Sequence, residues 1–283
     1  MPKPSDHFPR GVAPPSQTPL FWVSQKDRYL RQLLIRDIQE LTQRRLIVYF
    51  ANRYENAQID QRDTALMAEL CKDSAGQPTD LMLETTGGAT DATEGLISLI
   101  QAVVSDLRVI VANAAKSNGT LLGLAAKSIV MGATSELGPI EPAVQGIPCT
   151  VLSAPEIAAQ NFPLHKYGVY AIQQTKALAQ RLLSDGMMQG RPAAEIEDTV
   201  QKLSGRDVFF SHGSVINHIE AKRLGLVIEY LPPDNEIWQK IWLLYCMYDH
   251  DCRRDRYLKV FEGPAVSTSI AASRPAPAPV PAP

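Results

Sequence analysis

No stretch of this 283-residue chain is apolar for long enough to span a bilayer, and Met1–Arg10 lacks the apolar core of a signal peptide. The expectation is a cytoplasmic protein with no membrane span. Cysteine is scarce: Cys71, Cys149, Cys246 and Cys252 form no Cys-x-x-Cys pair, which argues against a disulfide scaffold or a zinc ribbon. His250 stands between the last two, but three possible ligands on one helical stretch make a weak metal signal, and buried free thiols are expected instead. Basic blocks are missing too. With a formal net charge of −2 and 20% charged residues, the chain is not read as a nucleic-acid or anionic-membrane binder. Neither a Gly-x-Gly-x-x-Gly nor a Walker spacing occurs, so no nucleotide cofactor is expected, and no Gly-x-Ser-x-Gly elbow marks an α/β-hydrolase.

What is present is an ordinary globular composition, 45% apolar, with length enough for a full core. Residues 1–23 are rich in Pro, Ser and Gln and read as a flexible N-terminal segment. Residues 24–262 read as one domain with a C-terminal helical extension. Residues 263–283 end in Ala-Pro repeats and read as a disordered tail.

Within the domain, apolar runs alternate with helical periodicity. A helix over about 25–43 precedes the buried strand Leu46–Phe50, and Asp60 is placed to cap a helix running to about 71. A strand over Asp80–Glu84 breaks at Thr85-Thr86-Gly87-Gly88, and Asp91 opens a helix with Leu96, Ile97, Ile100 and Val104 on one face. A third strand, Arg108–Ala112, leads to a helix opened by Ser117. Beyond Pro139, Pro142 and Pro148, helices are expected over about 166–184, 193–203, 215–223 and 235–258. The last carries Ile237, Ile241, Leu244 and Tyr248 on one stripe beside Trp238 and Trp242, a core or subunit-interface pattern. This alternation predicts an α/β fold with a largely parallel sheet.

In such a sheet the carboxyl ends of successive strands lie along one edge, so the Gly87–Gly88 turn and the Ser117 turn can face each other across a cleft. Paired glycines let the backbone approach a ligand closely, although Gly-Gly also serves plain tight turns. A serine at a helix start is an ordinary N-cap. It is also a hydroxyl beside free helix amides, which suits a nucleophile with an oxyanion site.

The ordered pieces Thr86-Gly87-Gly88, Ala115-Lys116-Ser117-Asn118-Gly119-Thr120, Ser135-Glu136-Leu137-Gly138-Pro139-Ile140-Glu141-Pro142, Leu203-Ser204-Gly205, Ser211-His212 and Glu220–Leu226 cover roughly residues 45–230. In that order they resemble the serine dehydrogenase proteinase-like family of the Clp protease/crotonase superfamily, relatives of signal peptide peptidase A. The resemblance implies a Clp/crotonase-like fold of repeated β-β-α units and a homo-oligomer acting on a peptide or protein substrate. By the same resemblance Ser117 matches the nucleophile, and the amides of Gly88 (or Gly87) and Asn118 match the oxyanion hole. Clp-type relatives carry a histidine about where Ile140-Glu141 stands here, and no histidine lies between Ser117 and His165. Asp207 resembles the acid of that triad. Signal peptide peptidase relatives use a serine–lysine pair, which makes Lys166 the first candidate base and Lys176 the second. His212 matches a histidine of the nearer family, and His165 is a further candidate. The chain departs from the family at Asn118, usually a small residue, at Lys127-Ser128, often acidic, and at Glu141, usually Asp.

The reading is a serine hydrolase of the peptidase type, working through an acyl-enzyme on Ser117. Two others share the fold: a catalytically inactive assembly or binding protein, and an acyl-CoA enzyme of crotonase type in which the two amides hold an enolate.

Overall fold

Alternate residues of the central strands face opposite ways, and both sets are apolar. In Arg45–Ala51 (β1), Ile47 and Tyr49 enter one core while Leu46, Val48 and Phe50 enter another. The computed structural model describes residues 18–272 and satisfies both faces by sandwiching the sheet between helices, the arrangement parallel strands require.

The remaining strands are Pro78–Glu84 (β2), Asp106–Val111 (β3), Ala114–Ala115 (β4), Ser128–Met131 (β5), Glu136–Leu137 (β6), Ala143–Val144 (β7), Ile147–Pro148 (β8), Ile228–Tyr230 (β9), Tyr257–Glu262 (β10) and Ser267–Ala271 (β11). The main sheet has seven strands in the order β11-β10-β1-β2-β3-β5-β9. Its β1, β2, β3, β5 and β9 run parallel, while β10 and β11 add an antiparallel hairpin on one side. The expected mixed α/β fold with a largely parallel sheet is therefore what the chain adopts.

The helices are Pro19–Ser24 (α1), Lys26–Thr42 (α2), Asp63–Cys71 (α3), Thr90–Val103 (α4), Asn118–Leu124 (α5), Cys149–Leu152 (α6), Pro155–Gln160 (α7), Phe162–Asp185 (α8), Ala193–Ser204 (α9), His218–Arg223 (α10) and Glu236–Asp255 (α11). On one face, α3, α4, α5, α8, α9 and α10 cover Leu81, Leu83, Val109, Val111, Ile129 and Met131. On the other, α2 and α11 cover Met82, Ile110 and Val130, with Trp238, Ile241, Leu244 and Tyr248 buried there. The aromatic stripe is thus core. Trp238 packs so closely on Gly132 that a Cβ there would lie 2.1 Å from its ring.

Three charged clusters pin the sheet. Asp80, fully buried, takes Arg44 and Arg108. Lys259 donates to Asp63 (2.7 Å) and Asp60 (2.9 Å), and Tyr49 donates its hydroxyl to Asp63. Arg31 joins Glu262 and Asp251.

Several boundaries differ from the sequence reading. The last long helix stops at Asp255, because Arg256 turns left-handed (φ 55°) and Tyr257 opens β10. The helix near Asp60 starts at Asp63; Asp60 instead accepts the Arg62 amide in the turn before it. Pro19–Ser24 is helical inside the segment read as flexible. Ser267–Ala271 is a sheet strand inside the segment read as a disordered tail, because the run Ser-Thr-Ser-Ile-Ala can pair with β10 before the Ala-Pro repeats begin. The rest of the two terminal segments, 1–17 and 273–283, lies outside the described residues. Among the described residues, no helix is long and apolar enough to cross a membrane.

Candidate active site

At the carboxyl ends of β2 and β3 the chain leaves the main sheet and builds a small second one. Thr85 pairs with Ala115, β4 runs parallel to β6, and Leu137 pairs with Ile216. The Ser-Glu-Leu-Gly-Pro-Ile run is therefore scaffold. Ser135 donates to the Val111 carbonyl and accepts from the Gly132 amide (2.8 Å), Glu136 donates its amide to Asn113 (2.7 Å), and Leu137 exchanges bonds with Ile216 (2.9 and 3.0 Å). Thr120, buried, sets its Oγ1 within donating distance of the Ala115 (2.9 Å) and Gly138 (2.8 Å) carbonyls, and accepts from the Gly138 amide.

Ser117 stands on the sharp turn between β4 and α5 with φ 54° and ψ −119°, a conformation rare for a residue with a side chain. Its side chain makes no capping bond to α5, so the N-cap role anticipated for a serine here is not taken up. Ser117 is part-exposed and lines a cleft of about 840 Å³.

The two turns touch. A Cβ on Gly87 (φ 110°) would lie 2.8 Å from Ser117 Cβ, and one on Gly88 (φ 157°) would lie 2.3 Å from the Ile59 backbone. Gly87 gives its amide to Thr85 Oγ1 (3.1 Å) and its carbonyl to the Ile59 amide (2.8 Å), and Ala89 donates to the Ile59 carbonyl (3.0 Å). That ladder leaves the Gly88 amide outside it, turned opposite to the Gly87 carbonyl of the same peptide plane. The Asn118 amide heads α5, where first-turn N–H groups have no intrahelical acceptor. Asn118 also sends Nδ2 back to the Gly88 carbonyl (2.6 Å) and towards Thr90 Oγ1 (3.4 Å).

His212 lines the same cleft as Ser117, Gly88 and Asn118. Its loop is tied down on three sides: Lys116 Nζ donates to the Ser214 carbonyl (3.1 Å), Ile216 pairs with Leu137, and Arg206 reaches the buried Glu141 (2.8 Å). Lys116 also pairs with Glu136 at 3.0 Å.

The other candidate bases stand apart from this group. Lys166 is absent from the cleft lining, and its Nζ lies over the rings of Phe162 (5.5 Å) and Tyr170 (6.0 Å). The face of α8 that meets the cleft carries Tyr167, Ala171 and Gln174. Lys176 donates to Gln201 (2.7 Å) on the exposed side of that helix, His165 keeps a buried Nδ1, and Asp207 is exposed. The cysteines Cys71, Cys149 and Cys252 are buried, and burial pushes the thiol of Cys252 up to about 12. Among the described residues no group of His, Cys, Asp and Glu is arranged to hold a metal ion.

One wall of the cleft carries no strong signal in the sequence. β7 and β8 form a hairpin whose two-residue turn, Gln145 (φ 51°) and Gly146 (φ 80°), has both central residues left-handed, and Pro142, Ala143, Val144 and Pro148 line the cleft beside it. Gln-Gly between two prolines was the available signal. It is weaker than the Asn-Gly that marks such turns.

Residues 37–267 match the profile of a family described as ClpP-like SDH-type serine proteinase. Two uncharacterized proteins of Methanocaldococcus jannaschii are each 28% identical to this chain, one over 185 residues (63% of this chain, 61% of that protein) and the other over 114 residues (38% and 39%). The alignments thus span less than two thirds of the length of these relatives. Among solved structures, an Asn-to-Asp mutant of ClpP1 from Listeria monocytogenes is similar with a TM-score of 0.44 at 16% identity, covering 72% of this chain and 98% of that one. A Ser-to-Ala mutant of the membrane-bound stomatin-specific protease 1510-N gives 0.41 at 21% identity, covering 65% and 79%.

Proposed function

The chain belongs to the ClpP-like SDH-type serine proteinase family, and from that premise we propose that it is a serine peptidase that cleaves peptide or protein substrates through an acyl-enzyme on Ser117. The observation that carries this reading is the strained Ser117 turn, pressed against Gly87 in a cleft lined by Gly88, Asn118 and His212.

In the first step Ser117 Oγ attacks the scissile carbonyl carbon and gives its proton to a neutral His212 imidazole. The carbonyl oxygen becomes an oxyanion and accepts from the Gly88 and Asn118 amides. Collapse breaks the C–N bond, and the imidazolium returns the proton to the departing amine. Water then attacks the acyl-enzyme with the same proton transfers in the same order, releasing the acid and restoring Ser117. His212 is preferred to Lys166 because it shares the cleft with Ser117, while the Lys166 ammonium rests on two aromatic rings. Neither a cofactor nor a metal enters these steps. An acyl-CoA enzyme is disfavoured, because a nucleotide diphosphate calls for cations and, among the described residues, the cleft offers Asp91 and no Lys or Arg. A homo-oligomer belongs to the same proposal on the ground of the family resemblance, and a cytoplasmic location is carried over from the sequence reading.

The test is labelling by a fluorophosphonate. The wild type should be labelled and Ser117→Ala not at all. His212→Ala should be labelled about 10²–10⁴-fold more slowly, and Lys166→Ala at close to the wild-type rate. Equal labelling of wild type and Ser117→Ala removes Ser117 as nucleophile. A large loss in Lys166→Ala with none in His212→Ala transfers the base to the lysine.

A further inference from the structure

The Asn118 side chain has no part in the mechanism above, and it stands where the family usually carries a small residue. It is 7% exposed, beside the nucleophile, and it reaches across thirty positions of sequence to the opposite turn. Only a donor can face the Gly88 carbonyl, so the amide nitrogen is the atom at 2.6 Å and the amide orientation is fixed by chemistry. Its Oδ1 is buried and takes no partner among the described residues. A buried, unpaired acceptor works against folding. Asn118 is therefore poorly explained as a stabilising residue, and the donor end must account for it.

What that donor holds is the peptide following Gly88. Glycine at φ 157° has no side chain to restrict it, so the Gly88 amide keeps its direction only if both flanking peptides are pinned. The Ile59 backbone pins both from the far side, through Gly87 O and Ala89 N. Asn118 Nδ2 is the pin from the near side, and it comes from the helix that bears the other amide. We propose that the Asn118 side chain is a positioning residue, a latch that fixes the Gly88 amide relative to the Asn118 amide so that both meet one oxyanion. The inference rests on the serine-peptidase reading.

Fluorophosphonate labelling tests it: Oγ–P forms, P–F breaks, fluoride leaves, the Oγ proton passes to the base, and the phosphoryl oxygen occupies the oxyanion position. Asn118→Ala keeps its backbone N–H, so the hole is loosened and not dismantled. Labelling should slow by about 10–100-fold at saturation, short of the loss of a whole donor, with the half-saturating probe concentration and the melting temperature nearly unchanged. Asn118→Asp keeps the shape but sets a carboxylate oxygen against the Gly88 carbonyl. It should be slower than Asn118→Ala at neutral pH and regain rate relative to wild type as the pH falls, because a protonated carboxyl can donate. Full-rate labelling of Asn118→Ala, or a ratio of Asn118→Asp to wild type that is flat in pH, overturns the latch while leaving Ser117 in place. A wild type that resists the probe overturns the peptidase reading, and the latch with it.

Discussion

Ser117 was visible in the sequence because three signals coincide there: an apolar strand, a run of small residues and a helix start. Its left-handed backbone was not visible, since no local pattern calls for a positive φ at a serine, and its close neighbour Gly87 is thirty positions away in sequence. His212 could be found only by resemblance. No local spacing ties it to Ser117, and the tie is tertiary, through Lys116, Leu137 and Glu141. The lysine candidates drew on the resemblance to a serine–lysine pair, and Lys166 turns out to set its ammonium over a pair of rings. Two substitutions check the local geometry. Gly88→Ala would bring a methyl to 2.3 Å from both the N and O of Ile59 at an unfavourable φ, so the turn must shift. We expect at least about a 100-fold loss of labelling, comparable to removing one oxyanion donor; wild-type labelling would exclude Gly88 from the hole. Thr120→Val preserves shape but deprives the Ala115 and Gly138 carbonyls and the Gly138 amide of their shared hydroxyl. It should cost about 1–3 kcal/mol in denaturant unfolding, and an unchanged midpoint would contradict that assignment.

Among elements, the long periodic helices and the strands β1, β2 and β3 were legible, because burial on both faces writes short apolar runs at Leu46–Ala51, Leu81–Leu83 and Val109–Val111. The short strands were not. β4 and β6 each have two residues, and β9 has three, too few for any period to register. β10 was absorbed into the helix before it, since Tyr257 and Leu258 resume an apolar pattern after the charged run Arg253–Arg256, and only the left-handed turn at Arg256 ends the helix there. β11 was lost for a different reason. Its composition is polar and half-exposed, and it follows Gly263 and Pro264 towards a proline-rich end. The register Lys259–Ile270, Val260–Ser269, Phe261–Thr268 nevertheless covers the edge of β10. A chain ended after Glu262 should therefore melt at least about 3 °C below one ended after Ala272 and should self-associate more readily through the bared edge. Equal melting curves would reduce β11 to a passenger.

For the molecule as a whole, the sheet carries a titration that charge counting could not reveal. Burial is the main cause that pushes Glu84, at the end of β2, up from about 4.5 to about 7, against the Ala114 amide and Asn113 that it accepts from; Arg53 lowers it and Asp249 raises it. The folded state thus holds this proton more tightly than the unfolded chain does. The group's contribution to stability is complete below about pH 4.5 and is lost as pH rises through about 7. Glu84→Gln should leave stability at pH 4 nearly unchanged and raise it at pH 8 by up to roughly 3 kcal/mol. Denaturant unfolding at the two pH values decides this, and an effect independent of pH would refute it. A last consequence follows from the small second sheet. Its rungs run Thr85–Ala115, Ala115–Leu137 and Leu137–Ile216, so the glycine turn and the histidine loop hang from opposite ends of one three-step ladder, with the serine turn on the strand next to the glycine end. The turns that carry Ser117 and His212 should therefore loosen together. The amides of Glu136, Leu137 and Ile216 should exchange with solvent as a single cooperative unit, and its opening rate should set how often the proposed Ser117–His212 pair is lost at once.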